Sequence, residues 1–261
     1  NPKKRYKEPV APDTSDLPAL PEGWCWAGPE QLASFEKYAL AIGPFGSNLL
    51  VSDYQDSGVP LVFVRNIRSG NFEASDSAFV THSKAGELHA HRIDGGDVLI
   101  TKMGDPPGDA CLYPLTRPSA IITADCIKWR LSSVFVAKLY FVHIIHSEVV
   151  HRQILKETRG VAQKKISLAR FKTVSIPLPP LAEQYRIVAE VERRLSLIDQ
   201  LEKTVAADLA RANRLRQSIL KRAFAGQLVP QDPNDEPASV LLERIQAAKN
   251  GEPVQTRLPL R

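Results

Sequence analysis

Residues 181–225 read LAEQYRIVAEVERRLSLIDQLEKTVAADLARANRLRQSILKRAFA and contain neither glycine nor proline. A run of this length without a helix-breaking residue predicts one α-helix of about 65 Å, at about 1.5 Å per residue. Pro180 is placed for the first turn, where proline is tolerated, and Gly226 supplies a stop at the C-terminal end. The chain is therefore expected to consist of a part before the helix, the helix region 179–226, and a short tail.

The apolar residues of this helix recur at alternating steps of three and four, the spacing of a coiled-coil seam. Glu202 and Arg216 occupy two seam positions, and Leu201 offers a locally shifted register, as in a stutter. The alternative is one amphipathic helix lying on its own domain, which would have to cover an unusually long stripe. We predict a helix–helix interface formed by Val188, Val191, Leu195, Ile198, Val205, Leu209, Ala212 and Ile219.

The remaining segments differ in composition. Residues 1–20 are basic and contain four prolines, which predicts a linker. Residues 21–178 contain short apolar runs separated by Gly, Asn and Asp, which predicts a mixed β-rich domain, with one helix over Val134–Leu155. Residues 227–261 predict a polar turn, a short helix over 237–249 and a tail. The expected class is α+β: a β-rich domain, a long coiled-coil-type helix and a short C-terminal helix.

The overall composition is that of a soluble globular protein, with 43% hydrophobic and 24% charged residues. No run of about 18 apolar residues and no secretory signal is visible, so we expect no membrane span. Cys25, Cys111 and Cys126 form no CxxC pair, which favours buried thiols in a reducing, cytoplasmic compartment. The single methionine is Met103, which favours a chain that is one part of something longer.

Motifs for catalysis or metal binding are weak. Asp105-Pro-Pro-Gly resembles an Asp-Pro-Pro-aromatic motif of amino-methyltransferases, but Gly108 stands where the aromatic ring is needed, so a proline-rich turn is the better interpretation. His143 and His146 are one helical turn apart, yet no carboxylate or cysteine completes a metal-binding set. P-loop and Gly-x-Ser-x-Gly patterns are absent. We therefore predict no catalytic residue and no metal site, and a chain that binds rather than reacts.

Local charge indicates what is bound. Residues 152–172 carry seven basic residues against one acidic residue, an excess of six in a chain of net charge +5. Within them, the loop 158–165 combines a glycine hinge with an amide and two ammonium groups, which suit DNA phosphates and base edges. A solvated basic surface without a ligand is the alternative. Polar loops at 43–48, 65–71 and 101–105 equally fit plain turns. We predict DNA contacts at Ser47, Asn48, Arg65, Asn66, Arg68, Lys102, Gln163, Lys164 and Lys165.

A family resemblance rests on several stretches, of which the last two are long and highly specific. They are LPEGWCW (20–26), GPFGS (43–47), RNI (65–67), GDVLITK (96–102), IPLPPLAEQ (176–184) and ILKRAFAGQLVPQDPNDEPAS (219–239). Together they resemble the DNA-specificity (S) subunit of type I restriction-modification systems. The resemblance covers nearly the whole chain and implies a target recognition domain followed by a conserved helical region.

In that family a whole subunit usually carries two recognition domains, each followed by a long helix, and the two helices pack antiparallel. Each domain reads one half of a split double-stranded DNA target. The helices also dock two modification (methyltransferase) subunits, to which the restriction subunits add. The resemblance implies no catalytic residue and no cofactor on this chain, because S-adenosylmethionine would bind the modification subunit.

The chain departs from this pattern by containing one recognition domain and one long helix. The basic leader before Leu20 and the missing initiator methionine favour the C-terminal half of a full subunit. A natural half-subunit that homodimerises through its helix is the alternative within the family. Two hypotheses from other classes stay open: an enzyme that methylates or cleaves DNA alone, and a structural coiled-coil module with an incidental basic surface.

Overall fold

A computed structural model describes residues 11, 13–68, 70–74, 78–132, 136–160 and 164–251. By its contacts the chain divides into two compact units, Asn1–Arg194 and Leu195–Arg261. This division falls inside the long helix, so the first unit includes the first turns of that helix. The predicted DNA contact Gln163 and most of the predicted basic linker lie outside the described residues.

The described secondary structure alternates short strands with helices. The strands are β1 (Cys25–Ala27), β2 (Leu40–Ile42), β3 (Val59–Val62), β4 (Ile67–Arg68), β5 (Asn71–Phe72), β6 (Phe79–Val80), β7 (Arg92–Ile93), β8 (Val98–Thr101), β9 (Ala110–Leu112), β10 (Ala120–Ile122), β11 (Cys126–Trp129) and β12 (Ile176–Leu178). The helices are α1 (Pro29–Leu32), α2 (His82–Glu87), α3 (Lys138–His146), α4 (Glu148–Glu157), α5 (Leu168–Phe171), α6 (Leu181–Phe224) and α7 (Ala238–Lys249).

In the described part of the chain, most strands belong to two four-stranded sheets. The first, which we call the β10 sheet, has the order β6-β3-β10-β7, with β3 and β10 parallel at its centre. The second, the β11 sheet, has the order β2-β11-β8-β9 and is antiparallel. Two-stranded ladders join β1 to β12 and β4 to β5.

Successive residues of a strand point to opposite faces, and here both faces are covered. On β8, Val98 and Ile100 pack with α3 and α4, whereas Leu99 faces the β10 sheet. On β3, Val62 belongs to the same buried apolar cluster as Leu99, whereas Leu61 belongs to a second cluster on the side of α2. The first unit is therefore layered as α3 and α4, the β11 sheet, the β10 sheet, and α2. Burial on both faces explains why these strands are continuous apolar runs rather than alternating ones.

Trp129 packs and hydrogen-bonds several helices against the β11 sheet. Its side chain is fully buried, and its indole N–H donates to the Pro29 carbonyl at 3.0 Å. Its ring meets Phe141 and Phe171 edge-to-face, with centroids 5.4 and 5.8 Å away. One side chain thus holds α1, α3 and α5 against the sheet.

The prediction of one helix over Val134–Leu155 is wrong, because the described chain forms α3 and α4 with a break at Ser147. The backbone of Ser147 is extended, and its hydroxyl donates to the Ile144 carbonyl at 2.6 Å and accepts from the Val150 N–H at 3.4 Å. Ser147 therefore closes one helix and caps the next, an option that apolar periodicity does not register.

The first turns of α6 are part of the first unit. Gln184 is 1% exposed, and its amide accepts from the Ala137 N–H and donates to the Pro179 carbonyl, both at 2.9 Å. Val188 packs against the core that contains Trp129. The assignment of Val188 to a helix–helix seam is therefore corrected, because this part of the apolar stripe is covered by the chain's own domain.

The second unit contains the rest of α6 and the C-terminal region. The large apolar residues predicted for the seam are 44 to 66% exposed here: Leu195, Ile198, Val205, Leu209 and Ile219. Gly226 follows the helix with φ +68°, in the left-handed region that favours glycine, and so provides the predicted stop. On α7, Leu241, Leu242 and Ile245 are 44 to 56% exposed. Both helices thus carry apolar surface that the described residues leave open.

These elements confirm the α+β class with a β-rich part, a long helix and a short C-terminal helix. None of the described helices is long and apolar enough to cross a membrane. The described end of the leader contacts the domain, since the Ser175 hydroxyl donates to the Asp13 carbonyl at 3.1 Å and Asp16 pairs with Lys156 at 3.2 Å. The proposed segment boundaries at 20, 178 and 226 stay predictions.

The burial of the three cysteines differs from the expectation at one position. Cys111 and Cys126 are buried, and burial raises the pKa of each to about 12, so both are poor nucleophiles at neutral pH. Cys25 is exposed, which corrects the expectation that it is buried. The chain enters the domain along β1, so Cys25 at its start is open to solvent and Ala27 at its end is buried.

Candidate nucleic-acid interface

Several predicted loops meet at one edge of the two central sheets. Because β3 and β10 are parallel, the loops that follow them leave from the same edge. The N–H and hydroxyl of Thr123 both donate to the Val62 carbonyl, at 2.9 and 3.0 Å, which sets these two loops side by side. We use the name cationic edge for the loops 43–48, 63–66, 102–105, 123–125 and 164–165.

The loop 43–48 is held against the neighbouring turn by a glycine. A Cβ on Gly43 would lie 2.0 Å from the carbonyl oxygen of Thr123, so no other residue fits this approach. Beyond it, Ser47 and Asn48 are exposed in a single 3-10 turn, as expected for residues that contact a ligand. Phe45 is 59% exposed at the same loop. The loop therefore presents two polar side chains and one aromatic ring.

The buried side chain of Lys102 stabilises the loop 43–48. Its side chain is 9% exposed, and its ammonium donates to the Ala124 carbonyl at 2.7 Å and lies 3.8 Å from the Asp125 carboxylate. The same ammonium is 4.9 Å from the centroid of the Phe45 ring, and burial lowers its pKa. The predicted DNA contact at Lys102 is corrected, because its donors are committed to the protein.

Backbone pairing brings Lys164 and Lys165 to the same edge. Lys165 and Arg159 exchange two backbone hydrogen bonds at 3.0 and 2.9 Å. The Ile166 N–H donates to the Lys102 carbonyl at 3.0 Å. Lys164 and Lys165 are thereby placed beside a β8–β9 connection that is distant in sequence.

The lysines of this edge are paired with carboxylates. The ammonium of Lys164 lies 2.8 Å from Asp105, and that of Lys165 lies 3.5 Å from Asp125. The pattern extends along residues 152–172, where five of the seven basic residues have such a partner. The pairs are Arg152–Glu148, Lys156–Asp16, Lys164–Asp105, Lys165–Asp125 and Lys172–Glu30. Acids, four of the five from distant segments, thus offset much of the local excess seen in the sequence.

The predicted residues after β3 have different positions. Arg65 is exposed, with its guanidinium 4.1 Å from the Phe63 ring centroid. Arg68 is exposed and lies 3.6 Å from Glu73. Asn66 is 1% exposed, and its side chain accepts from the Phe63 N–H and donates to the Glu73 carbonyl, both at 2.8 Å. The predicted base contact at Asn66 is corrected, because its amide stabilises the turn.

Sequence reasoning left two members of the cationic edge out of the predicted contacts. Phe45 lies in a segment of turn-forming residues. From composition alone, one large apolar side chain in such a segment does not indicate contact with a ligand. Asp125 carries no signal, because its partners Lys102 and Lys165 are far from one another in the chain. Both were found through the structure.

No group of three or more His, Cys, Asp or Glu residues is placed to hold a metal ion among the described residues. The two histidines of α3 have separate partners. His143 Nε2 lies 2.7 Å from the Glu192 carboxylate on α6, and His146 Nε2 accepts from the Ala110 N–H at 3.1 Å. His143 therefore links α3 to α6, and His146 links α3 to β9.

Comparison with solved structures shows where this fold occurs. The HsdS subunit from Thermoanaerobacter tengcongensis superimposes with a TM-score of 0.56 at 22% identity, over 82% of this chain and 48% of that one. A chain from a structure of the type I R-M system, solved for its assembly and conformational transition, gives a TM-score of 0.64 at 22% identity, over 82% and 49%. The fold is that of type I specificity subunits.

The sequence comparisons identify the family. Residues 53–210 match the family model described as the type I restriction modification DNA specificity domain, and the chain belongs to this family. It is 32% identical to the EcoKI specificity subunit of Escherichia coli K12 over 77% of this chain and 46% of the relative, and 37% identical to the Escherichia coli EcoBI specificity subunit over 74% and 42%. The chain thus spans about half the length of the curated relatives it matches.

Proposed function

We propose that this chain is a non-catalytic, sequence-reading DNA-binding subunit that recognises one half of a bipartite double-stranded target. The observation that carries the proposal is the meeting of Ser47, Asn48, Arg65 and the Lys164–Lys165 pair at the cationic edge. Hydroxyl, amide and guanidinium groups are the types that read base edges, and ammonium groups contact phosphates. Gln163 and Arg68 remain candidates for the same role.

The long helix is proposed as the assembly element. From Leu195 onward its apolar seam is exposed in the described structure, which favours pairing with another helix. We propose that this partner is the antiparallel helix of a second half-subunit or of a second copy. Modification subunits, which would bring S-adenosylmethionine, would dock on the same helical region and recruit the restriction subunits. We propose that the chain acts in the cytoplasm, in defence against foreign DNA through DNA methylation and restriction.

The DNA proposal is tested with the full chain and a pool of random-sequence duplexes. Repeated selection is expected to enrich a short motif, and methylation mapping in cells with the complete system should return a target containing it. Absence of any enrichment would contradict sequence reading.

Incubating the pure chain with duplex, labelled S-adenosylmethionine and Mg²⁺ is expected to give no product, and turnover would favour the stand-alone enzyme.

The contribution of the edge is tested with the double variant Lys164→Ala, Lys165→Ala. Two lost phosphate contacts should weaken binding and reduce the slope of log affinity against log salt by about 2. The matched control is Lys37→Ala, Lys172→Ala, which removes the same charge near the other end of β11, where Lys172 pairs with Glu30. Equal salt slopes for the two double variants would remove Lys164 and Lys165 from the interface.

A further inference from the structure

Asp105 is an exposed carboxylate at a surface proposed to bind a polyanion. Its side chain is 82% exposed, and its partner Lys164 is 49% exposed at 2.8 Å. An ion pair this open to solvent contributes little to the stability of the fold, so stability is a weak reason for an acid at this position. Asp105 is the first residue of the Asp105-Pro-Pro-Gly segment. The proposed DNA-reading role otherwise assigns no function to this segment.

The second carboxylate of the cationic edge differs from Asp105. The Asp125 side chain is 28% exposed and lies between two ammonium groups, 3.8 Å from Lys102 and 3.5 Å from Lys165. It is positioned to hold the two lysines together. Asp105 has one lysine beside it, and most of its surface is open to solvent, where a ligand can reach its oxygens.

A carboxylate near DNA has two effects. It repels phosphates, which lowers affinity for any duplex in which it makes no hydrogen bond. It can also accept a hydrogen bond from the N4 amino group of cytosine in the major groove. Lys164 partly neutralises Asp105, which reduces the repulsion and lets the carboxylate approach the groove. The two effects together lower binding to non-cognate duplex relative to cognate duplex.

We propose that Asp105 is a specificity-determining residue that accepts a hydrogen bond from cytosine N4 in the cognate duplex and disfavours duplexes without a cytosine at that position. The inference rests on the proposed DNA-reading function and deepens it. Lys164 acts through Asp105 as well as on phosphate, because its ammonium fixes the position of the carboxylate.

The test is Asp105→Asn in the full chain, with the duplex selected by the wild-type chain and a random-sequence duplex as probes. Loss of the negative charge should raise affinity for the random duplex about two- to fivefold. Affinity for the selected duplex should fall, so that the ratio of the two affinities drops by about tenfold or more. Repeating the selection should weaken one cytosine and allow adenine there, because Asn pairs with adenine.

The matched control is Asp16→Asn, since Asp16 has a side chain 81% exposed and an ion pair of 3.2 Å with Lys156 outside the cationic edge. It should leave the affinity ratio and the selected motif unchanged. An unchanged ratio and motif for Asp105→Asn, with the wild-type chain still selecting a motif, would overturn the role of Asp105. Failure of the wild-type chain itself to select any motif would instead overturn the DNA-reading function, and this inference with it.

Discussion

At the scale of single residues, Phe45 is the clearest case of a side chain placed for contact. The ring is 59% exposed, and its position is fixed by the close approach of Gly43 to Thr123 and by the buried ammonium of Lys102. Apolar side chains at DNA interfaces pack on thymine methyl groups or insert between base steps. Phe45 is therefore expected to add apolar contact at an otherwise polar and charged surface.

Replacing Phe45 with Ala should weaken binding of the selected duplex about tenfold, from the loss of about 1–2 kcal/mol of apolar burial. The salt slope should stay as in the wild-type chain, because no charge is removed. Phe35→Ala is the control, since Phe35 is 85% exposed and lies near Arg130 at the other end of β11. Titrations at several salt concentrations measure both quantities, and equal affinities for the two variants would exclude Phe45 from the interface.

Lys128 is a buried cation that affects stability rather than binding. Its ammonium donates to the Ala90 and Arg92 carbonyls at 3.0 and 2.8 Å, and burial first, then Arg130, lowers its pKa from 10.5 to about 8. Between pH 8 and 10.5 the unfolded chain therefore binds more protons at this residue than the folded chain does. Its contribution should raise the free energy of unfolding as pH increases through this window.

The variant Lys128→Met should lack this rise. The difference in unfolding free energy between wild-type chain and variant is expected to change by at most about 3 kcal/mol between pH 7.5 and 10.5, in favour of the wild-type chain at high pH. Urea unfolding followed by tryptophan fluorescence at several pH values measures this. A difference that stays constant with pH would show that Lys128 has the same pKa in the folded and the unfolded chain.

At the scale of elements, the start of α6 depends on a buried amide. Gln184 satisfies the Ala137 N–H and the Pro179 carbonyl, so Gln184→Ala leaves two polar groups without their partner. The expected loss is about 2–3 kcal/mol of unfolding free energy, measured by urea denaturation. Gln200→Ala, on the exposed part of the same helix, should change stability by less than about 0.5 kcal/mol. Similar values for both would contradict the anchoring role of Gln184.

Ser147 shows how far element boundaries follow from sequence. The apolar spacing around it is helical on both sides, which correctly predicts helix and misses the break between α3 and α4. A serine that bonds its neighbouring backbone competes with the helix locally, and the packing of both helices on the β11 sheet then selects the broken form. The end of α6 at Phe224, just before Gly226, was predictable, because glycine is favoured after a helix by backbone conformation alone.

At the scale of the whole molecule, the exposed seam of α6 predicts association. The double variant Ile198→Asp, Val205→Asp places charges on side chains that are 48 and 66% exposed, so the fold should persist while helix pairing is lost. Sedimentation of the variant, alone and with modification subunits, is expected to show weaker association than the wild-type chain, while the residues proposed to contact DNA are unchanged. The control Gln200→Asp, Ala207→Asp adds the same charge two residues farther along, on the opposite helix face. Unchanged association of the seam variant would exclude this interface.

The sequence by itself determined the α+β class, the long helix with its stop, and the family, because these depend on local periodicity, helix-breaking residues and contiguous motifs. It also predicted DNA contacts at Ser47, Asn48, Arg65, Lys164 and Lys165, which stay predictions; in the described structure Lys165 is half-buried and the other four are exposed. It assigned Asn66 and Lys102 wrongly, since residue type does not show whether a polar group is used by the protein itself.

The tertiary structure alone decided which loops meet and which charges remain uncompensated. Strand pairing brings Asp105 to Lys164 and Asp125 to Lys165, so a basic segment becomes a surface of mixed charge. The physical reason is that an ion pair depends on distances of a few ångströms between side chains, and these distances are fixed by hydrogen bonding between strands that are remote in the chain.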